Sequence, residues 1–206
     1  MNFMLRFQKS FKDEKSICTK ITIASINGGS GATHFALLAG NYYAKVRKKR
    51  TAVIDLSMND DYESLCLALG KGRSDVRMDS GRLSIYKRAL KDDIEGIFEL
   101  GYGCVIFDVG KQYLKVKNEV AMCDRRFMVM SASPWKMEEV MGIYRDNFIG
   151  DKGDKWKYVF SFGDMKSAIY MEEQLGIKMF RMPLIPNPFC IERKQLEEVK
   201  TIILED

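Results

Sequence analysis

Residues able to do chemistry are few and cluster at three places. The stretch Asn27-Gly28-Gly29-Ser30-Gly31-Ala32-Thr33-His34 joins an apolar run to a segment of helical period. Glycines at 28, 29 and 31 let backbone N–H groups turn inward around an anion. The helix that follows adds the positive end of its dipole. Thr33 is placed to offer a hydroxyl to a magnesium ion, as the hydroxyl residue of a phosphate-binding loop does. Asp55 lies near the end of Thr51-Ala-Val-Ile-Asp-Leu56, and Asp108 near the end of Cys104-Val-Ile-Phe-Asp-Val109. Carboxylates beside bound phosphates are the groups that keep a magnesium ion in place. The expected anion site is Gly28, Gly29, Ser30, Gly31, Ala32, Thr33 and His34, with Thr33, Asp55 and Asp108 toward the metal.

Other reactive types carry less. His34 is the only histidine, so no Ser–His–acid triad can be assembled. At the first helical turn it either lends a weak positive charge or is simply a helix-start residue. The five cysteines are Cys18, Cys66, Cys104, Cys123 and Cys190. Their odd number and wide spacing fit neither a zinc site nor a disulfide framework, and they read as buried, reduced thiols. Asp60–Asp61, Asp92–Asp93 and Glu138–Glu139 are sequence neighbours, so neither pair member faces its mate on a helix. Lys71, Arg73, Arg77, Arg82, Lys87 and Arg88 form a basic stretch near Tyr86. With no DNA-reading motif beside it, it reads as a solvated loop, and nucleic acid is not the expected partner.

The elements that must position these groups alternate. Apolar, β-rich runs are expected as strands over 21–26, 51–56, 104–109, 126–131, 157–162 and 177–182. Helical spacing is expected over 32–48, 61–69, 84–100, 112–122, 136–148, 165–175 and 191–204, with a polar loop over 71–81. Buried strands alternating with helices imply an α/β fold: a doubly wound, mostly parallel sheet with helices on both faces. Ligands of such a sheet bind at the carboxyl ends of its strands, where the loop, Asp55 and Asp108 all fall.

Bulk properties agree. The chain has 206 residues, 46% hydrophobic and 30% charged, the balance of a globular domain. No apolar stretch reaches the length that spans a bilayer, and Arg6 and Lys9 interrupt what a cleavable signal would need. The expected location is cytoplasmic. The net charge of +5 is uneven: residues 1–50 carry ten Lys/Arg against two Asp/Glu.

In several segments, matched in order and spacing, the chain resembles the ParA/MinD class of P-loop ATPases. That class has a deviant phosphate loop, Lys-Gly-Gly-x-Gly-Lys-Thr, in the frame of Asn27–Thr33. Its second strand carries an acidic pair where this chain has Asp55-Leu56-Ser57. Its Walker B strand resembles Cys104–Gly110. Asp124–Pro134 resembles a later strand ending in a proline loop, and Pro183-Leu-Ile-Pro186 the loop near the adenine. The resemblance covers about residues 20–205 and implies a P-loop NTPase-like domain over 20–206, preceded by an appended element over 1–19. It implies ATP or ADP with magnesium as cofactor, Pro183 beside the base, and a homodimer formed across the loop.

The departures shape the functional expectation. Asn27 replaces the lysine that reaches a partner's nucleotide, Ala32 the lysine on the β- and γ-phosphates, and Ser57 one acid of the pair. Without those cations a transferring phosphoryl group loses its charge compensation. The resemblance therefore implies a pseudo-ATPase that positions or assembles other machinery; TadZ-like factors of Tad-type pilus or secretion systems resemble this chain in also having altered phosphate loops. The alternatives are a slow ATPase with a cation from Lys111 or Arg125, and a DNA-binding partition protein. At the N-terminus, Phe3, Phe7 and Phe11 recur among Arg6, Lys9 and Lys12. Residues 1–12 either lie peripherally on the inner face of a membrane or pack back on the domain.

Overall fold

The computed structural model describes residues 18–70, 72, 76–148 and 156–205. The strands are β1 (Thr19–Ser25), β2 (Thr51–Asp55), β3 (Arg77–Ser80), β4 (Leu83–Tyr86), β5 (Cys104–Gly110), β6 (Arg125–Met130), β7 (Trp156–Phe160) and β8 (Met179–Arg181). They form one sheet in the order β3-β4-β2-β5-β1-β6-β7-β8. All pairings are parallel except β3 with β4. β2 and β5 are buried at every residue, which is why they read as unbroken apolar runs.

The helices are α1 (Ala32–Asn41), α2 (Asp61–Ala68), α3 (Lys91–Glu99), α4 (Lys117–Ala121), α5 (Met137–Phe148), α6 (Met165–Leu175) and α7 (Arg193–Leu204). One core layer packs α1, α2 and α7 on the sheet through Phe35, Leu38, Tyr62, Cys66, Val199 and Ile203. The opposite layer uses Ile94 and Ile97 of α3, Val120 of α4, Val140 and Met141 of α5, and Met171 of α6. The sheet is thus wound on both faces, as expected.

Five expectations need correction. The helix expected over 84–100 splits, because Leu83-Ser-Ile-Tyr86 is β4. The exposed edge of β2 captures it in parallel register, Thr51 opposite Leu83. Helix α3 begins only where the Asp93 carboxylate accepts the Leu90 amide at 2.8 Å. The polar loop expected over 71–81 contains β3, paired antiparallel with β4. The helix expected over 112–122 shrinks to α4, because residues 111–115 are spent in turns after β5. The helix expected over 32–48 leaves α-geometry at Tyr42 and continues as a π-helical turn to Val46. The wider turn lets consecutive Tyr42 and Tyr43 both bury, their rings meeting edge to face at 5.4 Å. The cysteines divide: Cys66, Cys104 and Cys123 are buried, Cys18 is half-buried and Cys190 exposed.

Candidate functional site

At the carboxyl end of β1 the chain turns sharply into α1. Gly31 caps α1 with no side chain accepting the first amides, and the first helical hydrogen bond runs from Phe35 N to Gly31 O at 2.9 Å. The leading N–H groups are therefore open toward the crevice. The Ser161 hydroxyl, at the end of β7, donates to the Ser30 carbonyl and ties the loop to the sheet. Two side-chain atoms in this loop, Asn27 Oδ1 and Ser30 Oγ, are buried with no partner. Buried polar atoms without a partner, in a loop that leads into an uncapped helix start, are compatible with a polar ligand there. A cleft of about 640 Å³ opens there, lined by residues 28–34 and by Ser57, Asp61, Gly110 and Lys111.

Asp55 and Asp108 meet as register neighbours on β2 and β5. Asp55 Oδ1 accepts the Ser57 amide at 3.0 Å and the Ser57 hydroxyl at 2.6 Å. Its Oδ2 accepts the Arg88 amide at 3.2 Å. Asp108 Oδ1 accepts the Gly110 amide at 3.2 Å, and Oδ2 the Tyr62 hydroxyl at 3.0 Å. Burial pushes the Asp108 carboxyl up to about 7; hydrogen bonds from Thr33 and Tyr62 oppose the rise, while the Asp55 charge adds to it. Thr33, Asp55 and Asp108 are thus brought together. With every carboxylate oxygen already accepting a bond, the set fits a magnesium ion held by the Thr33 hydroxyl, with the acids acting through its waters. Among the described residues no group of three His, Cys, Asp or Glu side chains could cage a metal directly.

His34 is half-buried. Burial lowers its pKa below the usual histidine range, although a hydrogen bond to the Ile185 backbone partly offsets this. His34 lines the loop cleft. Ala32 is buried in the core layer under α1. Pro183 is buried and lines a second cavity of about 380 Å³ with Phe162, Met182 and Ile185. That cavity shares Gly31 and His34 with the loop cleft.

The two cations considered as replacements separate. Arg125 opens β6 at the end of the sheet away from the crevice and donates to the Ile203 carbonyl. Lys111 lines the cleft. In the basic stretch, Arg77 pairs with Asp79 and lies over the Tyr86 ring. Arg82 donates to the Lys48 carbonyl, Arg88 pairs with Asp60 and Glu63, and Lys87 is buried. These four are engaged by the fold and are not a solvated loop; Lys71 and Arg73 lie outside the described residues. Tyr62 is the site residue that sequence reasoning missed. Its signal was the apolar pair Tyr62 and Cys66, one turn apart on α2, which are both buried.

No protein-family model matches the chain, and no curated protein does. Solved structures do. A plasmid partition protein from Borrelia burgdorferi with AMPPNP bound superposes with a TM-score of 0.61 at 14% identity, covering 90% of this chain and 98% of that one. The MinD cell division protein of Aquifex aeolicus gives 0.63 at 15% identity, over 91% and 98% of the two chains. Apo McdA from Cyanthece gives 0.56 at 13% identity, over 90% and 99%. The chain has the fold these ParA/MinD-class proteins share.

Proposed function

We propose that this chain is a ParA/MinD-like nucleotide-responsive factor that binds ATP or ADP with magnesium and hydrolyses ATP poorly if at all. The observation that carries this reading is the split within one loop. The amide cradle, Thr33 and the two acids are retained and converge, while Asn27 and Ala32 leave the loop itself without a cation. Gly28, Gly29, Ser30, Gly31 and Thr33 would hold the phosphates, with the base toward Pro183. Thr33 would ligate magnesium, steadied by Asp55 and Asp108. The magnesium would neutralise phosphate charge. A cradle of amides can bind a nucleotide, but stabilising the charge that develops in phosphoryl transfer needs cations placed beforehand.

Such a protein acts by changing its associations. A homodimer across the loop face is supported by exposed apolar side chains around the crevice: Met58 at 76%, Trp135 at 81% and Leu184 at 90% exposure. The output we propose is positioning or assembly of other machinery in the cytoplasm, with a Tad-type pilus or secretion system as the candidate, since the altered loop is shared with TadZ-like proteins. The amphipathic stretch 1–12, proposed as a peripheral membrane contact, lies outside the described residues. Among those described, no helix is long and apolar enough to cross a membrane.

The test is ATP binding and turnover by the purified protein beside its Asp108→Ala variant. Binding without Asp108-dependent phosphate release is expected. No binding at millimolar ATP would overturn the reading. A clear Asp108-dependent rate would favour the second reading, a slow ATPase, which the placement of Lys111 in the cleft supports.

A further inference from the structure

We infer that Lys111 holds the terminal phosphate of a bound nucleoside triphosphate, a single cation beside a loop that carries none of its own. This inference rests on the nucleotide reading above and goes beyond it by assigning a residue and a direction of approach.

A β-carbon placed on Gly28 would stand 4.0 Å from Lys111 Nζ. The ammonium group therefore hangs over the first glycine of the loop, reaching in from the end of β5. Nothing in the loop's own sequence would put it there. Gly110 makes the approach possible: its backbone is left-handed at φ 47°, and a β-carbon on it would come within 2.9 Å of Ser57 Cβ. Because Gly110 and Ser57 are both small, β5 turns against the loop after β2 and delivers residue 111 to the mouth of the cleft.

Charge points the same way. Among the described residues lining the cleft, Lys111 is the one lysine or arginine, and Asp61 is the one acid. Among the described residues Lys111 makes no ion pair, whereas Arg88 and Lys136 are paired with acids. Ser30, whose Oγ is a buried hydroxyl without a partner, lines the same cleft. The ligand class follows from the two linked cavities. The apolar one at Pro183 and Met182 suits a base, and the loop amides suit the phosphates. The far end of the cleft, where Gly28, Gly110 and Lys111 meet, is left for the terminal phosphate. A lysine reaching in from β5 can neutralise that phosphate without occupying the core position that Ala32 fills.

Titrations of the full chain with ATP and with AMP, magnesium present, test this. Lys111→Ala is expected to weaken ATP binding roughly ten- to a hundredfold, the range for a hydrogen bond to a charged group, and to leave AMP binding within about twofold. Lys111→Arg should retain most of the ATP affinity. Lys115→Ala, in the same turn region, should bind ATP like the wild type, and Lys111→Gln provides a second truncation of the charge. Equal ATP affinity in wild type and in both neutral variants would overturn the inference and leave the nucleotide reading standing. So would parallel losses for ATP and AMP, which would indicate a structural role. A wild-type protein that binds neither nucleotide would overturn both.

Discussion

Replacing Asp108 by asparagine should change how the stability of this protein depends on pH. Asp108 is fully buried on β5, and its carboxyl is pushed from 3.8 to about 7. Between those values the unfolded chain has released the proton while the folded protein still holds it. The folded state then binds more protons than the unfolded one, so stability falls as pH rises. The contribution is fully present below about pH 4 and has been lost once pH passes about 7. Across pH 5 to 8 the shift corresponds to a loss of about 3 kcal/mol. The amide introduced by Asp108→Asn carries no such proton. Its oxygen can keep the Gly110 amide, and its NH2 can donate to the Tyr62 hydroxyl, which can turn to accept. Urea unfolding of both proteins at pH 5, 6, 7 and 8 isolates the effect. At a slope of roughly 2 kcal/mol per molar urea, the wild-type midpoint should fall relative to the variant by about 1 M or more over that range. A difference between the two midpoints that stays flat from pH 5 to 8 would refute the assignment of a raised pKa to this carboxyl. Saturating magnesium and ATP should shrink the slope, because a cation beside Asp108 favours its charged form.

Gly163→Ala should destabilise the fold by more than about 4 kcal/mol. Its φ is 115°, and a β-carbon there would lie 2.2 Å from the Ala132 carbonyl oxygen; a melting temperature within a few degrees of wild type would contradict this. Ala32→Lys should strengthen ATP binding about tenfold or more while raising phosphate release far less, since Ser57 still stands where the second acid would be. Calorimetry and a phosphate-release assay check this pair, and the apo variant should melt lower because residue 32 sits in the core layer. Light scattering with and without ATP should show a dimer that Trp135→Ser weakens; a strict monomer at high concentration under both conditions would count against the dimer.

What local pattern could reveal, it did. The loop at 27–34, the strands bearing Asp55 and Asp108, and their convergence at the carboxyl ends of the strands of a doubly wound sheet follow from short-range signals. Buried parallel strands must be apolar throughout, and the turn from strand to helix must be glycine-rich. The resemblance to ParA/MinD proteins rested on the same segments. The edge hairpin was not legible, because Leu83–Tyr86 is equally compatible with a helical or a strand pattern until the open edge of β2 is there to receive it.

Only the tertiary structure decided which groups surround the loop. His34 lines the cleft, and the burial that lowers its pKa comes from packing that the sequence does not show. Tyr62 reaches Asp108 across 46 residues of sequence. Lys111 and Arg125 look alike as loose cations near strand ends. β5 delivers Lys111 over Gly28, while Arg125 opens β6 at the opposite end of the strands. Charge and hydrogen bonding act through space, over a few ångströms, whereas sequence pattern reports only on neighbours along the chain.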